Sequence, residues 1–346
     1  MKVASSLVAG PHPGSELVEL AVHQALTKAD LTSAGQVILL LSREFSRNPQ
    51  AAILAAARAA GTTQVSGCTT QGVFTEDGWQ IDQAAVAVLV FNPPPDASTS
   101  NSSHSSKSPR ISFCGNSTLP FDWQDSAPRA GLLNPQGTVW HQARVAPDGH
   151  AEFQLPGLQC QSVLSTGLRS LGKPLAVEVA QGYELRRIGN QAAADCLIRK
   201  LPAELREHPP WHHINLLRSA DTPAIAILSA NADGSLTLAA ELKEGEVVQC
   251  AIRQALFAEQ EIHQALNATV HKQKRPNFDF AMMFSCIGRG PLFYGDNDRD
   301  LLAFQEQFPN TPLIGGYGSG QIAFSAGSNH LFNNAAVTLL FESPHV

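Results

Sequence analysis

Phe284-Ser-Cys-Ile-Gly-Arg-Gly-Pro-Leu-Phe293 and, further on, Pro312-Leu-Ile-Gly-Gly-Tyr-Gly-Ser-Gly-Gln-Ile322 decide how this chain reads. Each runs from an apolar, strand-like segment into a glycine-rich stretch that reads as a turn. The first turn carries a thiol and a guanidinium, Cys286 and Arg289, and the second a phenol and an amide, Tyr317 and Gln321. Glycine permits positive φ and close backbone approach, so two such turns side by side predict a small polar pocket. Ser285, Gly288 and Gly290 complete its expected lining.

Working outward, Gly67-Cys-Thr-Thr-Gln-Gly-Val-Phe74 aligns without gaps on Gly315-Gly-Tyr-Gly-Ser-Gly-Gln-Ile322. In both halves a helical stretch comes before this segment, and an Ala-Ala-Val strand ending in Phe comes after it. The order predicts duplication of a strand–helix–strand–turn–strand unit and brings Gly67, Cys68, Thr69 and Thr70 in as counterparts of the C-terminal site. The fold class expected is α/β, built from duplicated mixed-sheet units.

The spacing of apolar residues predicts a helix over 15–29, a strand over 37–41 buried on both faces, and an alanine-rich helix from Pro49 to Ala60 closed by Gly61. A strand follows at 84–91. Further on come a helix over 190–200, strands at 224–228 and 236–238 around Asn231-Ala-Asp-Gly234, and one long helix on Val248, Ile252, Leu256, Glu259, Ile262 and Leu266. The pattern closes with a strand at 280–284, a helix at 298–307 and strands at 312–315 and 335–341. Residues 93–110, dense in serine and proline, read as a loop or linker, a solvated insertion rather than a regulatory phosphorylation segment.

A length of 346 residues suits two domains. With 43% hydrophobic and 16% charged residues, the composition is that of a globular protein. Net charge is −6 and no basic run exceeds Lys272-Gln-Lys-Arg275, which argues against nucleic acid as a partner. The six cysteines are scattered with no C-x-x-C pair. No apolar run approaches the ~20 residues of a membrane span, and Met1 to Gly10 is too short and interrupted for a secretory signal. The expectation is a cytoplasmic protein with reduced thiols and no membrane association.

At the quoted residues the chain resembles the FIST family, sensory modules built from an N-terminal and a C-terminal FIST domain. The resemblance is carried by Phe284, Ser285, Cys286, Gly288, Arg289 and Gly290, then by Pro312, Leu313, Gly315, Tyr317, Gly320 and Ile322. Phe332-Asn-Asn334 before the last strand and Gly67-Cys-Thr-Thr-Gln-Gly72 in the first half add to it. It implies a FIST N-terminal-like domain over 1–157, with the loop 93–110 inside it, and a C-terminal-like domain over 158–346. It also implies a small-ligand-binding sensory function in intracellular signal transduction, with an amino acid or other carboxylate as ligand and a signalling protein as partner. No effector segment is left over after this assignment. Where the family carries Glu after the turn glycine, this chain has Val73 and Gln321, and Gly316 and Gly318 stand in place of bulkier residues. The lost carboxylate points away from a cationic ligand.

Two readings of the site residues stay open. Arg289 either grips an anion with its planar fork or ties two loops together. Cys286 is a buried structural thiol or a nucleophile with Arg289 as anion clamp in a hydrolase or transferase; Cys68 takes the same discount. Thr69 and Thr70 offer hydroxyls to a ligand or bond their own turn. Tyr317 and Gln321 line the pocket or pack the turn. His263 and His271 are too far apart on one helix for chelation, and Asp296, Asp298 and Asp300 lack the rest of a calcium loop. The resemblance also implies a haem-linked gas sensor as a lesser alternative, although no haem-attachment motif is present. Beside these alternatives, the expectation is no metal, no cofactor and no catalytic residue.

Overall fold

A computed structural model of the chain describes residues 1–93, 108–124, 127–272 and 278–344. Most of the serine/proline-rich stretch (94–107) and the basic residues Lys274 and Arg275 lie outside the described residues. The chain separates into two compact units, one made of Met1–Ser165 with Ile262–Val346 and the other of Thr166–Glu261.

The larger unit begins with β1 (Val3–Gly10) and α1 (Ser15–Lys28). Val18, Ala21, Val22 and Ala25 recur at helical spacing and give α1 its buried stripe. β2 (Gln36–Ser42) follows, its Val37–Leu41 run buried on both faces. α2 (Pro49–Ala60) opens on proline, whose missing N–H costs nothing there, and closes on Gly61 at φ 68°. Then come β3 (Val65–Thr70), β4 (Gly72–Thr75), β5 (Gly78–Ile81) and β6 (Ala84–Phe91). Six more strands follow: β7 (Arg110–Cys114), β8 (Arg129–Leu133), β9 (Val139–His141), β10 (Arg144–Val145), β11 (His150–Phe153) and β12 (Gln159–Ser165).

The smaller unit contains β13 (Leu168–Gln181), β14 (Glu184–Ile188), β15 (Gln191–Ala192), α3 (Ala193–Lys200), β16 (Ile214–Leu217), β17 (Ile225–Ala230), β18 (Leu236–Leu238) and β19 (Val247–Arg253). Its strands run in the order β13-β19-β16-β17-β18-β14-β15, and β13 also pairs with β14. Six of the strands thus close into an antiparallel barrel around Leu185, Ile188, Leu216, Leu236 and Cys250. Two expectations fail here. The helix expected from Val248 is strand β19 as far as Arg253, because Val248, Cys250 and Ile252 alternate inward while Val248 and Ile252 also happen to fit a helical step. α3 starts at Ala193, not Asn190, because Gly189 (φ 60°) and Asn190 (φ 67°) form a left-handed turn ahead of β15.

α4 (Ala255–Lys272) carries the chain on to β20 (Phe280–Cys286). After α5 (Pro291–Tyr294) and α6 (Arg299–Gln307) come β21 (Leu313–Gly318), β22 (Gly320–Ser325), β23 (Ser328–Phe332) and β24 (Ala336–Glu342). Two sheets of the larger unit share one plan. One runs β1-β6-β2-β3-β9-β10 and the other β12-β24-β20-β21-β4-β5, with β2–β3 and β20–β21 the parallel pairs. A third sheet runs β11-β7-β8-β22-β23. The sheets face each other across one apolar core containing Leu40, Phe91, Phe113, Phe284 and Phe341. α1 and α2 cover the outer face of the first sheet, and α6 with the Ile262–Leu266 part of α4 covers the second.

The stretches expected as turns, 69–72 and 315–322, are strands interrupted at a single residue, Gln71 in one half and Ser319 in the other. These two residues are equivalent in the gap-free alignment. At each break the following hairpin leaves its own sheet: β4 pairs with β21, and β22 pairs with β8. The glycines around the breaks are not there for positive φ, since none of Gly67, Gly72, Gly315, Gly316, Gly318 and Gly320 has it. They are there because the protein's own atoms come close. A β-carbon on Gly67 would collide with the carbonyl oxygen of Leu39, and one on Gly315 would run into the ring of Phe74. Gly67→Ala should therefore cost more than about 3 kcal/mol or prevent folding, read as the urea midpoint; a loss under about 0.5 kcal/mol would refute this close approach.

Candidate functional site

Alternation along β20 sets the geometry. Met282 and Phe284 face the inter-sheet core, and Ala281 and Met283 face the helices. Ser285 and Cys286 therefore point to opposite faces.

On the helix face lies a buried polar cluster centred on Arg289, which is 1% exposed. Its Nε donates to Asp300 Oδ2 (2.8 Å) and its Nη2 to Asp300 Oδ1 (3.0 Å), a bidentate pair. Nη1 donates to the Ser165 carbonyl (2.9 Å) and Nη2 to the Ser165 hydroxyl (2.7 Å). The loop-tying reading of Arg289 is what the geometry shows, and its fork is engaged with protein groups. Asp298 caps α6, its Oδ1 accepting from the Asp300 and Leu301 amides at 2.9 and 3.1 Å, and its Oδ2 accepts from the Tyr317 hydroxyl. Tyr294 donates to Asp300 Oδ1 at 2.7 Å. Burial, then the charge of Asp298, pushes the Tyr317 hydroxyl well above its ordinary range. Gly290 lets the loop lie against the Tyr317 ring, which also packs on Phe74 at 4.8 Å between centroids. Ser285 is fully buried on this face, and its hydroxyl has no hydrogen-bond partner in the structure.

On the other face Cys286 is 5% exposed, with Sγ 3.6 Å from Asn334 Oδ1 and 4.0 Å from the Ser319 carbonyl. Neither neighbour is a base, and Arg289 serves the opposite side of the strand. The nucleophile-plus-clamp arrangement is thus not formed. Gln321, fully buried, accepts from the Ala335 amide at 3.3 Å and leaves Nε2 without a partner. Ala335 in turn accepts from the Cys286 amide at 3.0 Å. The two strand breaks meet beside this group: Gln71 Nε2 donates to Ser319 Oγ (2.9 Å) and to Asn134 Oδ1 (3.3 Å).

The first-half residues are placed inside the fold. Cys68 lies in the inter-sheet core, where burial drives its thiol far above the ordinary range. Thr69 Oγ1 accepts from the Thr138 amide at 2.8 Å, and Thr70 Oγ1 donates to the Gly72 carbonyl at 2.8 Å. These hydroxyls bond their own neighbourhood. Ser165, Asp298, Asp300, Gln71, Ser319 and Asn134 were not singled out as site residues from sequence. Only Asp298 carried a usable signal, as an aspartate directly ahead of a helical pattern. Among the described residues no group of three or more histidine, cysteine or acidic side chains is placed to hold a metal, and no helix is long and apolar enough to cross a membrane.

Residues 175–324 of this chain match the FIST C domain, a sensory-type domain of signal transduction. Over 210 residues the chain is 24% identical to uncharacterized proteins of Mycobacterium tuberculosis, strains ATCC 25618 / H37Rv and CDC 1551, covering 57% of this chain and 55% of each relative. An uncharacterized protein of Mycobacterium bovis is also 24% identical over 210 residues, covering 54% of that relative. The chain spans about half the length of the curated relatives it matches.

The Asp298 carboxyl is pushed up to about 6 by burial and then by the charge of Asp300, against the lowering pull of the Tyr317 hydroxyl and the helix amides. An aspartate in an unfolded chain titrates near ~3.9. The folded protein holds this proton more tightly, so the group's contribution is complete below about pH 4 and is lost as pH rises through about 6. Asp298→Asn keeps a helix cap and removes the titration. Wild-type stability relative to that variant should fall by about 2 kcal/mol between pH 4 and 7.5 in urea unfolding; a flat difference would show that Asp298 does not titrate in this way.

Proposed function

We propose that this protein is a small-ligand-binding sensor of intracellular signal transduction in the cytoplasm, with its output passing to a protein partner. In this reading residues 1–157 and 158–346 are FIST N-terminal-like and C-terminal-like halves derived from one duplicated unit. The observation that carries ligand binding is at Gly288, an exposed residue bordering the Cys286–Asn334 contact. A β-carbon there would come 2.9 Å from Asn334 Oδ1 and 3.7 Å from Cys286 Sγ. Bare backbone keeps that approach open. Beyond it lies the junction of the two strand breaks, with Gln71, Ser319 and Asn134.

This rim offers amides, a hydroxyl and a thiol. With the fork of Arg289 engaged by Asp300 and Ser165, it suits a small polar ligand held by neutral donors and acceptors. An amino acid or other carboxylate would be bound through amides there, not through the guanidinium. Sensing fits this arrangement better than catalysis, because no base lies at Cys286 Sγ. A thermal-shift panel of amino acids, small carboxylates and neutral amides tests the reading. One class should raise the wild-type melting temperature by about 3 °C or more at saturating concentration and have no effect on Gly288→Ala. A ligand that stabilises both proteins equally would move the site elsewhere, and a wild type unmoved by the whole panel would count against ligand binding.

A further inference from the structure

The Thr166–Glu261 unit is an insertion in the chain of the larger unit, which the backbone leaves at Ser165 and rejoins at Ile262. The inserted unit ties its own ends together: Gly167 N donates to Glu261 Oε2 at 2.6 Å and Thr166 Oγ1 to Glu261 Oε1 at 3.5 Å. The last residue before the insertion, Ser165, is fully buried, and its hydroxyl and carbonyl are both taken by Arg289. Arg289 in turn closes the short turn Ile287–Arg289 that begins after Cys286 and contains Gly288. One three-residue turn thus forms the wall of the candidate site and holds the point where the inserted unit begins.

We infer that Arg289 is a latch by which occupation of the site at Gly288 is read out at the Ser165 junction. This rests on the ligand-binding reading above and adds its route of output. The latch has two discrete arrangements, because a planar fork bonded in parallel to a carboxylate and to both oxygens of one serine is either seated or unseated. A ligand drawn against Gly288 bears on the turn that aims the fork, so it favours one arrangement over the other. Arg289 is here a positioning residue, and Asp300 fixes the plane in which its fork reaches Ser165. Coupling through such an element is demonstrated only by perturbing both of its ends.

Amide hydrogen exchange of the full chain, read by mass spectrometry and with no ligand added, supplies that test. Arg289→Lys keeps the charge and loses the fork, while Ser165→Ala removes only the hydroxyl. Each should speed exchange in peptides spanning 163–168 by about tenfold and leave the strand 36–42 unchanged. Gly288→Ala alters the site wall without touching the fork, and it should change exchange in the same junction peptides. Junction peptides unaffected by Ser165→Ala, or acceleration spread evenly over all sheets, would overturn the latch. A junction that responds to Ser165→Ala but not to Gly288→Ala would overturn its coupling to the site. If Arg289→Lys does not fold, the other two variants decide. Since no ligand is used, a failed ligand panel and a failed latch remain separate results.

Discussion

The buried pair of Arg289 and Asp300 is the constraint from which the C-terminal half takes its form. Two ions this deep contribute little net stability, because desolvation offsets their attraction, yet removing either one leaves an unpaired buried charge at a cost of about 3–5 kcal/mol. The pair is tolerated because it is well bonded: Ser165 accepts two further hydrogen bonds from the guanidinium, and Tyr294 adds a donor to the carboxylate. What it contributes is position. It joins the turn after β20 and the start of α6, 11 residues apart, to the end of β12, 124 residues from Arg289. Asp298 adds a second carboxylate to the same cluster with no cation of its own. Burial and then the charge of Asp300 bring its carboxyl nearer neutrality than that of an ordinary aspartate, against the lowering pull of the helix amides and the Tyr317 hydroxyl.

The second organising feature is the pair of single-residue breaks at Gln71 and Ser319. Each ends a parallel strand and sends the following hairpin to a different sheet, so the first-half strand β4 completes the sheet of β20 and β21. Cooperation between the halves is therefore built into the backbone hydrogen bonding, beyond apolar contact. The strand orders and the parallel pairs were not legible in the sequence, whereas α1, α2, α6 and the strands at 37–41, 84–91 and 335–341 were. In each the apolar period is unambiguous and its ends carry chemical signals. The course of 248–253 was not legible, because a four-residue step fits both a helix and every second strand position. The barrel was also not legible. Its closure depends on β13 meeting β14 in one direction and β19 in the other, a long-range pairing that no local pattern encodes.

For the candidate site, the structure separates side chains that the sequence reading placed in one pocket. Ser285 and Cys286 are adjacent in the motif and face opposite sides of the strand, so the motif merges a buried structural cluster with a separate polar rim. Glycines were read as turn formers, yet around the breaks they serve contacts with Leu39, Phe74 and Leu132 that leave no room for a β-carbon. Gly288 alone among the expected site residues is exposed. Asp300 was weighed only as part of a calcium loop and Ser165 not at all, because neither residue has a signature as an arginine partner until folding brings a guanidinium to it.

The division between the two faces also bears on what kind of chemistry this fold can support. A thiol activated for attack needs a base or a cation beside it, and in this chain the cation has been drawn to the far side of β20 by Asp300. Beside Cys286 Sγ lie an amide oxygen and a backbone carbonyl, groups that accept hydrogen bonds without acting as a base. The unpaired Nε2 of Gln321 lies just behind, at the position where the resemblance leads one to expect a carboxylate. An amide there presents a neutral donor in place of a negative charge, so the same backbone cradle would favour a ligand with an acceptor at that end. Specificity would then change through one side chain while the latch beneath it stays the same.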